Sequence, residues 1–424
     1  MYGRRDLVDS HLFLRGRLTS AALRIDPDAP ERPLRRSAVG MNVGIAIAVA
    51  AAVVVAVLNI FLFKVNDAWR DTPGALIFDE STGARYLLVE DTLHPVLNLA
   101  SAALLVGGPP QVITVSADDI ASVPRGPGIG EAGLPDTLPS PSVAASVWTA
   151  CASDDGTTLR VAPSSDAAPI PRDEAVLVNT EGVLHLVWNG LRFKVSEDWS
   201  ARALGFEPKA AREVEPRWLD TIPSGADLDL SELTIGGEGP VIGGEETQLG
   251  QLFVLTGEEA EGAGYVVTAE GLMPVTETVA ALLSAIPDDE LPEPQAATRR
   301  LLSSAAVVER AEWQDALPRT VPEPLDDLLT PCSVWKDGEL RLAALDADAP
   351  DDAVDVAPGA GLLAATASAP GISGAALYLV SDAGMKYPVA DDPTAAALGL
   401  SASDAPAIPE ELLALLPTGP LIAQ

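Results

Sequence analysis

Lysine is the residue with which nucleotide-binding loops contact the transferred phosphate, and this 424-residue chain has five lysines. A Walker A loop requires Gly-Lys-Ser/Thr, because backbone amides surround the phosphates while the lysine reaches the transferred group. Each lysine here follows Phe, Pro, Trp or Met instead of Gly: Lys64, Lys194, Lys209, Lys336 and Lys386. The sequence therefore predicts no P-loop nucleotide site.

Two glycine patterns and three histidines offer other chemistry. Residues 128–133 have the spacing of a dinucleotide-binding fingerprint, but Pro127 and Pro135 on either side exclude the strand and helix that it requires. Ser373 lies in a pattern like a nucleophile elbow, which ends in Ala and has no nearby histidine. The histidines, which have no metal-ligand spacing, are His11, His94 and His185. We predict no catalytic residue, no cofactor and no metal site.

A membrane anchor is the clearest structural signal. Residues 37–63 carry no charge and are rich in Val, Ala and Ile. At 1.5 Å rise per residue, about 20 residues cross a hydrocarbon core of about 30 Å, so the segment is long enough to span a membrane. No face of it is polar, which argues against a buried soluble helix, and Lys64 follows it without a small-residue cleavage site. We expect an uncleaved transmembrane helix.

The charge distribution indicates how this helix is oriented. The first 40 residues hold eight Arg against five acidic residues, a net charge of +3. Since the whole chain has a net charge of −34, the rest of the chain carries −37. Arg32, Arg35 and Arg36 precede the apolar segment, whereas Lys64 and Arg70 follow it. The positive-inside rule predicts a cytoplasmic N-terminus and an acidic extracytoplasmic part, which excludes nucleic acid as a partner of that part.

Two cysteines, Cys151 and Cys332, lie in the extracytoplasmic part, and the chain has no others. Thiols are oxidised in that compartment, and the number of cysteines is even. We predict one disulfide that closes a long loop; the alternative is two separate buried thiols.

Apolar residues recur every three or four positions ahead of the anchor, which places them on one side of a helix. The residues that define this predicted docking helix are Leu7, Leu14, Leu18 and Ile25. The helix is expected either to lie on the inner leaflet or to dock with a cytosolic or membrane partner, and the spacing does not separate the two.

An internal repeat is the main feature outside the membrane. Four segments each show a short β-rich run, a polar or Gly turn, a second short strand and a helix-capping residue: 86–98, 185–196, 265–276 and 378–391. The capping residues are Asn98, Ser196, Thr276 and Asp391. Unequal spacing between the segments indicates inserted material, and a Cys151–Cys332 bond would join two of the inserts into one central domain.

An ordered series of motifs along nearly the whole chain resembles EccB, the single-pass membrane component of actinobacterial type VII (ESX) secretion systems. The motifs are His11-Leu12-Phe13-Leu14-Arg15, Leu93-His94-Pro95-Val96-Leu97-Asn98-Leu99, Pro124-Arg125-Gly126, Trp148-Thr149-Ala150-Cys151, Leu377-Tyr378-Leu379-Val380 and Tyr387-Pro388-Val389. The resemblance implies an elongated periplasmic part with four repeats around a central β-rich domain, a disulfide, and assembly with EccC-like, EccD-like and EccE-like subunits. EccC is the motor ATPase.

The expected fold class is therefore α+β, with an N-terminal cytosolic helix, one transmembrane helix and four strand-turn-strand-helix repeats around a central β-rich domain. The expected domains are a cytosolic helix (1–37), the transmembrane helix (38–63), repeat 1 (64–122), a linker and first part of the central domain (123–175), repeat 2 (176–245), repeat 3 (246–300), the second part of the central domain (301–372) and repeat 4 (373–424).

Three functions agree with these features. The first is a structural subunit in the inner membrane that associates with its own copies and organises the periplasmic side of the export complex. The second is an extracytoplasmic nucleotide hydrolase without a P-loop, since ATP hydrolysis has been assigned to the family that the chain resembles. The third is an anchored cell-wall-binding protein. We favour the first, because no catalytic motif is found.

Overall fold

The computed structural model describes residues 3–24, 35–62, 69–140, 147–255, 264–287, 291–346, 353–367 and 375–424. The chain divides into two compact units. The first comprises Met1–Pro73, Asp79–Gly83 and Thr114–Val123, and the second comprises Gly74–Phe78, Ala84–Ile113 and Pro124–Gln424. The predicted α+β fold is confirmed.

The N-terminal part forms two helices, α1 (Arg4–Arg24) and α2 (Arg35–Leu62). The window Val39–Leu58 of α2 is apolar and long enough to cross a membrane, and none of it is buried against the described protein. This window is the one candidate transmembrane helix in the described part of the chain.

The remaining helices and strands are short and follow one another in five groups. The first is β1 (Leu76–Asp79), β2 (Arg85–Val89), β3 (Thr92–Pro95), α3 (Leu99–Val106), β4 (Val112–Val115) and α4 (Ala117–Ile120). Next come β5 (Val147–Ser153), β6 (Gly156–Ala162) and β7 (Ala168–Pro169). The third is β8 (Glu174–Thr180), β9 (Val183–Trp188), β10 (Leu191–Val195), α5 (Asp198–Ala203), β11 (Arg212–Glu213) and α6 (Pro216–Asp220). The fourth is β12 (Leu252–Leu255), β13 (Gly264–Thr268), β14 (Gly271–Val275), α7 (Glu277–Ala285), β15 (Gln295–Ala297) and α8 (Arg299–Ser304). The last is β16 (Glu323–Pro324), β17 (Thr330–Lys336), β18 (Glu339–Leu345), β19 (Val354–Val356), β20 (Leu362–Thr366), β21 (Leu377–Val380), β22 (Lys386–Val389), α9 (Asp392–Ala397), β23 (Ala407–Ile408) and α10 (Glu410–Ala414).

Four sheets share one strand order, in which the third, second, first and fourth strands of a group lie side by side. They are β3-β2-β1-β4, β10-β9-β8-β11, β14-β13-β12-β15 and β22-β21-β20-β23. The first three strands of each sheet are antiparallel, and β11, β15 and β23 run parallel to the first strand of their own sheet. A parallel partner requires a crossover connection, which the helix after each third strand supplies.

Three of the four predicted capping residues begin a helix as expected. The side chains of Asn98, Thr276 and Asp391 each accept a hydrogen bond from a backbone N–H in the first turn of α3, α7 and α9. The second position differs, because α5 begins one residue later and Glu197, not Ser196, precedes it.

A fifth sheet has the order β19-β6-β5-β17-β18-β7, so strands from two distant parts of the chain meet at its centre. Trp148 on β5 and Trp218 on α6 are fully buried in its core, and the Trp218 indole donates a hydrogen bond to the Ala150 carbonyl at 3.0 Å. Leu412 and Leu413 of α10 belong to the same core. This fifth sheet, called the central sheet below, is thus covered by α6 and α10, the helices that follow β11 of the second similar sheet and β23 of the fourth.

Helices also join the similar sheets in pairs. Ala103 of α3 and Ala395 of α9 are fully buried in one cluster, and Leu204, directly after α5, and Leu282 of α7 are buried in another. Small or aliphatic residues at these contacts allow the helices to pack closely.

Candidate functional site

Helix α1 carries apolar side chains that remain largely exposed to solvent in the described structure. Leu7, Leu14 and Leu18 are 65%, 59% and 67% exposed. The helix places all three on one side, as the spacing predicts, whereas Ile25 lies outside the described residues. Exposed leucines cost solvation free energy of about 25 cal/mol per Å² of apolar area, so this face favours a covering surface.

The apolar surface of α1 extends beyond the predicted stripe. Val8, Leu12 and Phe13 are 58%, 48% and 63% exposed, and they project from other sides of the helix. The sequence prediction of the apolar surface left these three residues out, although Leu12 and Phe13 belong to the first family motif, because it considered a single face of the helix. The high apolar content of residues 7–14, independent of its period, was the available signal.

The two cysteines are bonded in the central sheet. Cys151 on β5 lies directly opposite Cys332 on β17, with a Cα–Cα distance of 4.0 Å and an S–S distance of 2.05 Å. Both are buried, and Ala167 and Leu345 pack against them. The predicted disulfide is thus present, and the alternative of two separate thiols is wrong.

The three histidines lie far apart in the sequence and on separate elements. His11 is exposed on α1; His94 on β3 stacks over Gly126, with its ring Nδ1 3.0 Å from the Pro127 carbonyl. His185 on β9 is half-buried, and this burial lowers its pKa, an effect to which Arg192 and Lys194 add. Within the described residues, no three His, Cys, Asp or Glu side chains are grouped so that they could hold a metal ion.

The lysines that the structure describes do not form a phosphate site. Lys194, Lys209 and Lys336 are exposed, and Lys386 is half-buried on β22. The Lys386 Nζ donates to the Leu413 carbonyl at 2.6 Å, and burial lowers the pKa of this lysine. Residues 128–133 form neither a strand nor a helix, and Ser373 lies outside the described residues. No catalytic arrangement comes together in the described part of the chain.

The assignment therefore depends on comparison with known proteins. The model of the family described as type VII secretion system ESX-1, transport TM domain B, matches residues 2–424. The chain belongs to the EccB family. It is accordingly a component of a type VII secretion system, and the resemblance seen in the sequence is confirmed.

Individual EccB proteins agree with this assignment. The chain is 29% identical to the ESX-3 secretion system ATPase EccB3 of Mycolicibacterium smegmatis, over 82% of this chain and 76% of that protein. It is 28% identical to the ESX-1 secretion system ATPase EccB1 of Mycobacterium tuberculosis, over 76% of this chain and 67% of that protein.

Two solved structures have the same fold. One is an intact ESX-5 inner membrane complex, which matches with a TM-score of 0.65 and 24% identity over 100% of this chain and 94% of the solved chain. The other is an EccB3 dimer from the ESX-3 core complex, with a TM-score of 0.62 and 24% identity over 82% of this chain and 98% of the solved one.

Proposed function

We propose that this EccB-family chain is a structural subunit of an ESX membrane complex, which it anchors in the inner membrane and organises on the periplasmic side. The match of the family model to residues 2–424 carries the proposal, because it includes the membrane helix and all five sheets together. The exposed apolar surface of α1 supports a role in assembly.

The N-terminus is proposed to be cytoplasmic and the sheets periplasmic. Arg32, Arg35 and Arg36 at one end of α2, against Lys64 and Arg70 near the other, support this orientation. A disulfide in the central sheet supports it as well, since disulfides persist in oxidising compartments. Protease added to intact spheroplasts would then digest the sheets, whereas protection of the sheets would contradict this orientation.

Helix α1 is proposed to dock with the EccC-like motor ATPase and with EccD-like and EccE-like subunits. Leu7, Leu14 and Leu18, with Ile25, would form the contact, and the bulky exposed Phe13 would extend it. Self-association of the chain is proposed in addition, and a solved relative described as a dimer supports it.

The docking proposal is tested by placing charge on the apolar face. We expect Leu14→Asp combined with Leu18→Asp to reduce co-purification of the EccC-like and EccD-like proteins at least tenfold, because a buried unpaired carboxylate opposes association. Arg5→Asp, at an exposed position on the opposite side of the same helix, changes the charge by the same two units and is the matched control. Unchanged co-purification of the double variant, with the protein still in the membrane, would contradict docking through α1.

The domain organisation is also a proposal. We propose that the four sheets of equal strand order are the four repeats and that the disulfide-bonded sheet is the central domain. The boundaries given by the sequence are kept, with two adjustments. Because β8 begins at Glu174, the second repeat would begin there instead of at 176. Because β20 pairs with β21, the fourth repeat would begin near Leu362 instead of 373.

Nucleotide hydrolysis is the second candidate, because the curated relatives carry the word ATPase in their names. It predicts that the purified full chain hydrolyses ATP and that one point substitution abolishes turnover. Activity that persists through all five lysine substitutions, or that disappears on further purification, would count against a site in this chain.

A further inference from the structure

The fourth strand of each similar sheet lies at a sheet edge, and β4 differs from its three counterparts. Strand β11 consists of two charged residues, β23 is also two residues long, and β15 has the sequence Gln-Ala-Ala. Strand β4 is longer and consists of Val112, Ile113, Thr114 and Val115, which are all β-branched. Short or charged edge strands oppose pairing with another chain, whereas an uncharged edge of β-branched residues favours it.

The outer edge of β4 is available for pairing. The carbonyls of Gln111 and Val115 accept hydrogen bonds, at 2.9 and 3.1 Å, from N–H groups on the side of β1. Because backbone groups alternate in direction along a strand, those of Val112 and Thr114 point away from β1. Both residues are exposed, and no described strand pairs with this edge.

The surface beside this edge is apolar and uncharged. Leu105 and Val106, at the end of α3, are 58% and 39% exposed, and Val112 is 56% exposed. A Cβ added at Gly74 would lie 2.7 Å from Cγ1 of Val106, so this side chain lies beside the beginning of β1, where β4 also begins. Residues 92–117 contain no Asp, Glu, Lys or Arg.

The charge of the chain makes this surface suited to a second copy. The part of the chain after residue 40 carries a net charge of −37, so two copies repel each other over most of their outer surface. An uncharged surface allows two copies to approach without this repulsion. An exposed strand edge can also pair with an identical edge about a two-fold axis, and the two strands are then antiparallel.

The residues that flank the edge leave one register for such pairing. Pairing Val112 with its own copy would place Thr114 opposite Pro110, which has no N–H to donate. Pairing Thr114 with its own copy would place Val112 opposite Ser116, whose N–H already donates to a carboxylate of the same chain at 3.0 Å. With the axis at Ile113, Val112 of each copy exchanges both of its backbone hydrogen bonds with Thr114 of the partner subunit.

We propose that two copies of the chain associate through β4, which pairs antiparallel with the same strand of a second copy so that the two Ile113 residues lie opposite each other. The inference rests on the self-association proposed above and assigns a surface to it. Backbone hydrogen bonds would join the two edges, and burial of the apolar side chains beside them would add affinity.

The first test is a cysteine cross-link in the full chain, in detergent micelles. The two native cysteines are bonded to each other, so Ile113→Cys adds a single free thiol. Residues opposed in this way have Cα atoms about 4.5 Å apart, which a disulfide spans. We expect Ile113→Cys to form an intermolecular disulfide at least tenfold faster than Leu328→Cys, although Leu328 is 83% exposed. Val112→Cys, which faces Thr114 of the partner subunit, should also react more slowly.

The second test measures the dissociation constant for self-association of the full chain in detergent micelles by sedimentation equilibrium. Val112→Lys should raise this constant at least tenfold, because it places an unpaired charge within the paired edge. Val183→Lys, at an exposed apolar position on β9, is the matched control and should leave the constant unchanged.

Three results would overturn the proposal: no cross-link in Ile113→Cys, equal cross-linking rates for Ile113→Cys and Leu328→Cys, or an unchanged dissociation constant in Val112→Lys. Any of these in a chain that still self-associates contradicts the assigned surface alone. A chain that stays monomeric contradicts the proposed self-association as well.

Discussion

In the second of the four similar sheets, Gly225 lies beneath the ring of Phe193, and the segment around Gly225 pairs with the edge of the third strand, β10. Adding one methyl group at Gly225 should loosen this pairing. At Gly225, an added Cβ would lie 2.6 Å from Cε1 and 2.8 Å from Cδ1 of Phe193. Phe193 is 2% exposed, so its ring has no free space into which to move. The same contact recurs between Gly126 and His94 and between Gly419 and Tyr387.

The magnitude follows from what must move. Overpacking a buried site costs about 1–3 kcal/mol. If the backbone retreats instead, it loses the bond from the Gly225 N–H to the Arg192 carbonyl at 2.8 Å and the bond from the Leu228 N–H to the Lys194 carbonyl at 2.7 Å. Each is worth about 1 kcal/mol net, so both routes predict a local cost of about 2 kcal/mol for Gly225→Ala.

Hydrogen–deuterium exchange of the full chain measures this cost locally. A local loss of 1–3 kcal/mol corresponds to exchange that is about 5-fold to about 150-fold faster in peptides spanning residues 222–229. Gly108→Ala is the matched control, because an added Cβ there meets no heavy atom within 4 Å.

A double variant separates ring contact from a general loss of stability. Phe193→Leu removes the edge of the ring that the new methyl group would meet, so we expect Gly225→Ala to cost at least 1 kcal/mol less in that background. Equal exchange in Gly225→Ala and Gly108→Ala, or strict additivity in the double variant, would refute the reasoning.

Three further predictions concern other contacts. Replacing Cys151 and Cys332 together by Ala should destabilise the central sheet by about 3 kcal/mol, measured by chemical denaturation followed by tryptophan fluorescence. Loop entropy alone gives about 5 kcal/mol for a separation of 181 residues. A loss below about 1 kcal/mol would contradict a stabilising role of the disulfide. Burial lowers the pKa of His185, so as the pH falls the unfolded chain binds a proton at this residue before the folded chain does. The stabilising contribution of neutral His185 is therefore fully present above about pH 6.5 and is lost as the pH drops below that value. His185→Gln should flatten the dependence of the melting temperature on pH between pH 7 and 5. Asn98→Ala should cost about 2 kcal/mol in local exchange of α3, because it loses both the cap to the Ser101 N–H and the donor to the Glu131 carbonyl, and Asn98→Asp, which keeps the cap alone, should lie between.

The sequence predicted the structural features that are determined within one short segment, such as a single helix or its first turn. The uncharged run of residues 37–63 predicted α2, and side chains such as Asn98 and Thr276 predicted the beginnings of helices. Ser196 shows the limit of such signals, because it is the right residue type one position before the cap.

Contacts between distant segments left no local signal. Strands β11 and β23 are two residues long, and they pair with strands far back in the sequence, so no periodicity identified them. The exposed residues Val8, Leu12 and Phe13 were left out of the predicted apolar surface for another reason, because only one face of the helix was considered.

The pairing of β5 with β17 has a consequence for how the protein is made. A ribosome completes β5 long before it reaches Thr330–Lys336, and Cys151 has to wait for a partner 181 residues away. During that interval the half-built sheet exposes a strand edge, the kind of surface that aggregates or attracts chaperones. Appearance of the Cys151–Cys332 bond in a pulse-chase experiment therefore marks the moment at which β5 and β17 have both been made and have paired.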